Sequence, residues 1–425
     1  MIGTQRIPPL IRRNTMLLAS TQAFVGAGTQ LVPTLGAIMI ERLLGSMLLA
    51  GLASSLIYVA RLLIAYPIGW VMDAHGRKAG LLMGLTLTLV GALGLGTAIG
   101  RLSFPLFLVA LLVFGLGIGA GQQLRTAAAD MYLPERRAEG LGLVLTGSLI
   151  GAFGGPILIS AAQAGAPSLG ADPTSLVWFL VPLVVVPSMA LVLLIRPDPK
   201  AIAADLARFY PGYRPSAERA DAMLAEGAGV TAWLRHYPLL VAFLSMFAAQ
   251  GVMVMLMALT PLVMAHNGHA LTMISIAVSL HVVGMYALSL PLGRLADRVG
   301  RRNVILVGLA VVGFGAILVP LTAEYAIATL GLVLVGVGWS CINVAVTALI
   351  ADTVPVSERG RAIGVVDSSG GLASVALPLL GGPLAEMLGP MSLAGLALVL
   401  VAVPGALALR LGEPVPGEYA HAVPA

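Results

Sequence analysis

Twelve long apolar segments constrain the fold of this chain more than any other feature. They lie near residues 15–38, 47–71, 79–99, 105–129, 140–163, 175–195, 237–264, 271–293, 304–322, 326–349, 362–385 and 391–409. Each is close to the length of roughly 20 residues that a helix needs to cross a bilayer. Because lipid offers no hydrogen-bond partners to the backbone, each segment is predicted to be an α-helix. With 58% hydrophobic and only 10% charged residues, the chain is predicted to be a polytopic membrane protein rather than a soluble enzyme.

The basic residues indicate the orientation. Of the 24 Lys and Arg residues, nearly all flank the predicted spans on the side that carries both termini. Only Arg42 and Arg101 lie on the opposite side, and Arg61 and Arg125 lie inside spans. The positive-inside rule therefore predicts cytoplasmic termini, and the net charge of +5 indicates this bias, not nucleic-acid binding. The single cysteine, Cys341, excludes an intrachain disulfide.

The chain repeats itself at an interval of 222 to 228 residues. The stretch from Pro67 to Lys78 matches the stretch from Pro291 to Arg302 in the pattern Pro-x-Gly-x-x-x-Asp-x-x-Gly-Arg-basic. Three further pairs recur: Gln22 with Gln250, Pro33 with Pro261, and Asp130 with Asp352. These matches predict two six-helix halves, 1–195 and 237–425. A cytoplasmic linker, 196–236, joins them, and a short amphipathic helix is predicted from Ser216 to Glu226.

The two matching loops resemble the signature loop of the major facilitator superfamily, and they do so in both halves. The resemblance implies an all-α membrane protein of twelve transmembrane helices in two pseudo-symmetric halves, a carrier that works by alternating access and as a monomer. The loop glycines allow a tight connection between helices, and the aspartates can cap a helix start or pair with arginine. The predicted gating residues are Asp73, Arg77, Asp130, Asp297, Arg301 and Asp352.

The stretch from Met246 to Met285 carries the most specific pattern, with seven of the 18 Met and three of the six His. Met253 and Met257 are spaced i,i+4, as are His281 and Met285, so each pair shares one helix face. In a helical hairpin that turns at residue 269, Met253 is level with Met285 and Met257 with His281. That level lies roughly 18 to 24 Å from the turn, near the bilayer midplane.

Three thioethers and one imidazole form a soft, uncharged set of donors, which suits Cu(I) far better than Mg, Ca or Mn. Neutral ligands also avoid the cost of burying carboxylates in hydrocarbon. The alternative interpretation is that methionine fills gaps in the core and that the histidine is a satisfied polar residue. The paired spacing at one level favours a metal site.

The motifs Met253-x-x-x-Met257 and His281-x-x-x-Met285 also resemble the paired motifs of the CcoA-type copper importers of bacteria. The resemblance implies import of copper across the cytoplasmic membrane for assembly of cbb3-type cytochrome oxidase. Copper would be the transported substrate bound by these four residues, no prosthetic group is expected, and the expected partners are the copper ion, the bilayer and a cytoplasmic copper acceptor. The equivalent positions of the first half are Val25, Thr29, Ile57 and Arg61, so only the second half keeps soft ligands.

Other polar and sulfur-bearing residues extend this prediction. Metal entry is predicted to involve Met264, His266, His269 and Met273, and the cavity is predicted to include Arg61, Gln22 and Gln250. Arg61 is expected near the midplane, facing the cavity or a polar partner such as Gln22 or Gln30. Arg125 is expected to form a local ion pair with Asp130.

Two other kinds of carrier remain open. An importer of an organic nutrient such as riboflavin would use the same scaffold without the metal motifs. A drug efflux antiporter is suggested by the element from Gly151 to Pro156, although that element is also typical of close helix packing with a proline kink. No carboxylate lies near the middle of a span, and a proton-coupled exporter of cationic drugs normally needs one.

Overall fold

The computed structural model describes residues 7–133, 136–211, 235–354 and 359–412, and nearly all of them are helical. Eleven helical stretches in these ranges are long and apolar enough to cross a membrane, and a bent pair of helices raises the number to twelve. The predicted fold class is confirmed. The helix predicted from Ser216 to Glu226 lies outside the described residues.

The chain divides into two compact units. Unit 1 comprises the described parts of Met1–Gly45 and Leu56–Pro215 together with Leu271–Ser279. Unit 2 comprises Ser46–Ser55 and the described parts of Ser216–Ala270 and Leu280–Ala425. Each unit thus includes a short segment from the other half of the sequence.

Several membrane spans of the first half are divided into two helices at a single residue. In chain order they are α1 (Pro9–Thr29), α2 (Leu31–Leu44), α3 (Leu52–His75), α4 (Arg77–Gly100), α5 (Phe104–Gly121), α6 (Gln123–Asp130), α7 (Arg137–Ala152), α8 (Gly154–Leu169), α9 (Pro173–Leu180), α10 (Pro182–Leu194), α11 (Pro199–Ala204) and α12 (Leu206–Phe209). One membrane span is formed by α1 with α2, and another by α5 with α6.

The helices of the second half are longer. They are α13 (Tyr237–His266), α14 (Leu271–Tyr286), α15 (Ser289–Val299), α16 (Arg301–Leu321), α17 (Tyr325–Thr353), α18 (Arg359–Leu388) and α19 (Met391–Ala408). The span predicted near 271–293 is formed by two helices, because α14 ends at Tyr286 and a bend of 45° separates it from the following piece. Pro291 explains the break, since it has no N–H to donate to the carbonyl of Ala287.

A second proline creates a polar contact inside unit 1. Pro156 cannot donate to the carbonyl of Ala152, the last residue of α7. The hydroxyl of Ser279 donates to that carbonyl instead, at 2.6 Å. Nearby, a Cβ added at Gly154 would lie 2.2 Å from the Cβ of Ala27. The Gly151 to Pro156 element therefore packs tightly against α1, which is the packing interpretation of that element.

Candidate functional site

His281 lies on α14 and has no exposed surface. Its Nδ1 lies 2.6 Å from the carbonyl oxygen of Leu332 on α17, and a carbonyl can only accept a hydrogen bond. Nδ1 therefore carries the proton, and Nε2 keeps a free lone pair. Nε2 is buried and has no hydrogen-bond partner among the described residues. A backbone carbonyl that fixes one ring nitrogen is the usual support for a histidine that binds metal through the other.

Close packing holds this part of α14 against α17. A Cβ added at Gly336 would lie 2.5 Å from the carbonyl oxygen of His281, 3.2 Å from its Nδ1 and 3.3 Å from the backbone N of Met285. Only glycine leaves room for this approach, so α17 fixes the position of the imidazole through both backbone and side-chain contacts.

Trp339, one turn further along α17, contacts both helices that carry the predicted ligands. Its Nε1 donates to the side-chain oxygen of Gln250 on α13 at 2.6 Å. Its ring meets the ring of Tyr286 on α14 edge to face, with centroids 6.2 Å apart. Positions along α13 and α14 can therefore be compared through their contacts with α17.

The two predicted pairs fall at matching depths in this comparison. Consecutive spans alternate in direction, so the seventh and tenth spans, α13 and α17, run antiparallel. Met257 lies seven residues after Gln250 on α13, and Leu332, which binds His281, lies seven residues before Trp339 on α17. Both intervals correspond to a helix rise of roughly 10 Å in the same direction. In the same way, Met253 lies three residues after Gln250, and Gly336, which lies against Met285, lies three residues before Trp339. To within about one helical turn, each methionine of α13 is level with its predicted partner.

All four predicted ligands are buried inside the protein. The exposed fractions are 5% for Met253, 8% for Met257, 9% for Met285 and 0% for His281. Among the described residues, no three side chains of His, Cys, Asp or Glu lie close enough to hold a metal ion. A metal site here would therefore depend on methionine sulfur. The four-residue site itself stays a prediction.

The residues predicted for metal entry differ in their surroundings. Met264 is buried, with 1% of its surface exposed, and His266 is exposed. The Nε2 of His269 lies 2.8 Å from the carbonyl oxygen of Ala323. Met273 is 39% exposed and belongs to unit 1, in contrast to the other three.

The predicted cavity glutamines show the internal repeat at atomic detail. In unit 1, the amide of Gln22 donates to the hydroxyl of Ser148 at 3.1 Å. In unit 2, the amide of Gln250 donates to the hydroxyl of Ser374 at 3.3 Å. The serines follow the glutamines at nearly the same interval, and sequence reasoning missed them because serine is common in membrane helices.

Each unit contains the same three-residue ion network. In unit 1, Arg77 binds Asp130 through Nε at 2.7 Å and Asp73 through Nη1 at 3.0 Å. In unit 2, Arg301 uses the same two nitrogens for Asp352 at 3.0 Å and Asp297 at 2.8 Å. Both arginines begin a helix after a glycine with positive φ, 95° at Gly76 and 93° at Gly300. The pairing follows the predicted pattern, and its role in gating stays a prediction.

Unit 1 has a clamp that sequence reasoning missed. The carboxylate of Asp198 accepts from the backbone N–H groups of Arg77 and Lys78, both at 3.0 Å, and so caps the start of α4. It also accepts from the N–H of Lys200 at 2.8 Å and caps α11. The first part of the linker is thus fixed to unit 1. Its signal was an aspartate between two prolines, which is typical of a helix cap.

The expected ion pair of Arg125 is wrong. Arg125 does not pair with Asp130, which binds Arg77 instead. Five residues of helix rotate a side chain by about 140°, so Arg125 and Asp130 do not share a face. The expectation that Arg61 faces the cavity or a polar partner such as Gln22 or Gln30 stays a prediction: Gln22 binds Ser148, and the Cζ of Arg61 lies 4.7 Å from the ring centre of Tyr58.

A family model described as Major Facilitator Superfamily matches residues 17–260 and 239–423. The chain belongs to the Major Facilitator Superfamily. Its repeated ion networks and paired halves are therefore features of a transporter of this superfamily.

Within the Major Facilitator Superfamily, the chain is 30% identical to the MFS-type transporter YdeG of Bacillus subtilis over 409 residues, which are 90% of this chain and 91% of that protein. It is 25% identical to the riboflavin transporter RfnT of Brucella anthropi over 365 residues, 84% of this chain and 85% of the relative. It also resembles, with a TM-score of 0.68 and 14% identity, the crystal structure of a bacterial homologue of the human lysosomal transporter Spinster, in an inward-facing and occupied conformation. That likeness covers 96% of this chain and 97% of the other, and it concerns the fold alone. The protein is therefore a multi-pass secondary transporter.

Proposed function

We propose that this transporter imports copper across the bacterial cytoplasmic membrane by alternating access, with both termini in the cytoplasm. The proposal rests on one observation above all, the geometry of His281. A buried imidazole with Nδ1 bonded to a carbonyl and Nε2 unpartnered leaves a polar atom unsatisfied at a cost, unless a ligand binds there.

The surrounding chemistry favours Cu(I) as that ligand. By helix rise Met257 is level with His281 and Met253 is level with Met285, so the proposal takes thioether sulfur as the further donor to the same ion. Thioether and imidazole donors are neutral, and a monovalent soft cation is the metal ion that such a set holds best. Uptake rather than export, and delivery to cbb3-type oxidase assembly through a cytoplasmic acceptor, are proposed from the resemblance to CcoA-type importers.

The test is uptake of radioactive copper by cells that express matched amounts of each variant. Met257→Leu removes the sulfur with little change in volume, and His281→Gln keeps an amide donor for Leu332 but removes the ring. Both are expected to lose copper uptake. Met255→Leu is the matched control, because Met255 is fully buried on the opposite face of α13, against Gly381 of α18. Wild-type uptake by Met257→Leu and His281→Gln would contradict the proposal.

A second candidate is import of riboflavin or a similar organic nutrient, which is favoured by the likeness to RfnT along most of both chains. The same cells separate the two candidates when radioactive riboflavin replaces copper. A riboflavin importer would take up the vitamin and be indifferent to Met257→Leu. A copper importer would show no uptake of riboflavin above that of cells without the protein.

A further inference from the structure

Two arginines inside the membrane spans of unit 1 lack a charged partner among the described residues. Arg61 lies on α3 and Arg125 on α6, and the Nε of each is buried without a hydrogen-bond partner. Neither takes part in an ion pair among the described residues. A guanidinium within a bilayer is costly, so such a residue normally pairs with an acid or faces a water-filled space.

The acidic residues described in unit 1 do not neutralise these cations. Asp73 and Asp130 bind Arg77, and Asp172 binds Arg42 at 2.5 Å. The other acidic residues described in unit 1 are Glu139, which binds Arg136, Asp198 and Asp205, which cap helix starts, and Glu41, which lies near the end of α2. The interior of unit 1 therefore keeps two positive charges that the described residues leave unbalanced.

The internal repeat carries no positive charge at the equivalent positions of the second half. The position equivalent to Arg61 in the second half is Met285, and the position equivalent to Arg125 is Thr347. Both are neutral. The two positive charges are therefore particular to unit 1.

The conformation of Arg61 leaves its donors available. One face of the guanidinium lies over the ring of Tyr58, which is three residues earlier on the same helix. This contact uses the π face, whereas the N–H groups point outward in the plane of the guanidinium. An anion that approaches the edge of the group could accept hydrogen bonds without displacing Tyr58.

We propose that unit 1 binds a monovalent anion at Arg61, with Arg125 as a second positive charge that supports it. The ligand class is a small anion that accepts hydrogen bonds from a guanidinium, either a free halide or a carboxylate group carried by an organic molecule. The proposal goes beyond copper transport and does not depend on it, since no predicted copper ligand belongs to this site.

The test is thermal unfolding of the purified, full-length protein in a neutral detergent. Sodium chloride or sodium acetate is added in separate titrations, and sodium sulfate at the same ionic strength is the control, because its divalent anion lies outside the proposed ligand class. Chloride represents the free halide, and acetate represents the carboxylate group. For the anion that binds, the unfolding temperature is expected to rise by roughly 3 to 5 °C over a hundredfold range of concentration above its Kd.

Three variants decide the result. Arg61→Gln is expected to lose the rise, and Arg125→Gln to reduce it. Arg101→Gln removes an exposed cation of the same unit and is expected to keep the full rise. The proposal is overturned if neither anion stabilises the wild type, or if the rise is unchanged in Arg61→Gln. Should Arg61→Gln fail to fold, an unchanged rise in Arg125→Gln would overturn it as well.

Discussion

Adding one methyl group at Gly336 is expected to weaken the proposed copper binding as well as the fold. A Cβ at this position would lie 2.5 Å from the carbonyl oxygen of His281, whereas ordinary contact begins at 3.4 Å. Because the obstacle is backbone, α14 must move by the difference, about 0.9 Å, relative to α17. Such overpacking typically costs about 1 to 3 kcal/mol of stability.

The same displacement of α14 moves the imidazole of His281 and the backbone N of Met285 together. Disturbing the support of a metal ligand typically lowers metal affinity by about 10- to 100-fold. A loss of that size corresponds to about 1.4 to 2.8 kcal/mol of binding free energy. Cu(I) affinity of the purified Gly336→Ala variant, measured by competition with a Cu(I) chelator, is expected to fall within this range.

Gly331→Ala is the matched control. A Cβ at Gly331 would lie 2.8 Å from the carbonyl oxygen of Gly315, so α17 is forced away from α16 rather than from α14. Both variants are expected to unfold at lower temperature than the wild type, but only Gly336→Ala should bind copper more weakly. Equal losses of affinity in the two variants, or wild-type affinity in a destabilised Gly336→Ala, would refute the reasoning.

Three further predictions concern the polar parts of the structure. Asp198→Ala leaves two N–H groups at the start of α4 without this partner and is expected to lower the free energy of unfolding by about 1 to 2 kcal/mol, measured by thermal unfolding. Asp205→Ala should cost less, because Asp205 caps a helix of only four residues. Arg77→Lys and Arg301→Lys are each expected to slow transport in uptake assays, because a lysine cannot hold two carboxylates with the geometry of a guanidinium. Copper affinity is expected to stay unchanged, and unchanged transport rates would contradict this prediction. Burial raises the pKa of Tyr210 to about 12. Because an unfolded tyrosine has a pKa of about 10, the stability that the neutral phenol contributes is complete below about pH 10 and is lost as the pH rises toward 12. Tyr210→Phe should therefore reduce the dependence of the unfolding free energy on pH between about 10 and 12. If Tyr210 forms phenolate, detected by its absorbance, at the same pH as unfolded tyrosine, the prediction is contradicted.

The membrane architecture could be predicted from the sequence because each of its signals is long or repeated. Segments of bilayer length indicate where helices lie, and the loop pattern that occurs twice is found again as the same ion network in each unit. The ion networks followed for the same reason: in both loops an arginine lies four residues after an aspartate, and the glycine turn between them brings the two charges together.

The details of the candidate site depend on contacts that no local pattern encodes. The partner of His281 is the main-chain carbonyl of Leu332, and a carbonyl is present at every position of the chain. The glycine that admits α14, Gly336, lies 55 residues beyond the imidazole that it supports. The expected pair of Arg125 with Asp130 was wrong because Arg77, which is distant in sequence and lies on another helix, binds the carboxylate of Asp130.

The clamp at Asp198 also affects how this protein can be divided experimentally. Residues that follow α10 cap α4 through Asp198, and Tyr210 is buried and donates a hydrogen bond to the carbonyl of Met131 at 3.2 Å. If the two halves are produced as separate polypeptides, a cut directly after residue 195 would remove these contacts from the first fragment. A cut after Pro211 would preserve them, and it is the better point for complementation between co-expressed fragments.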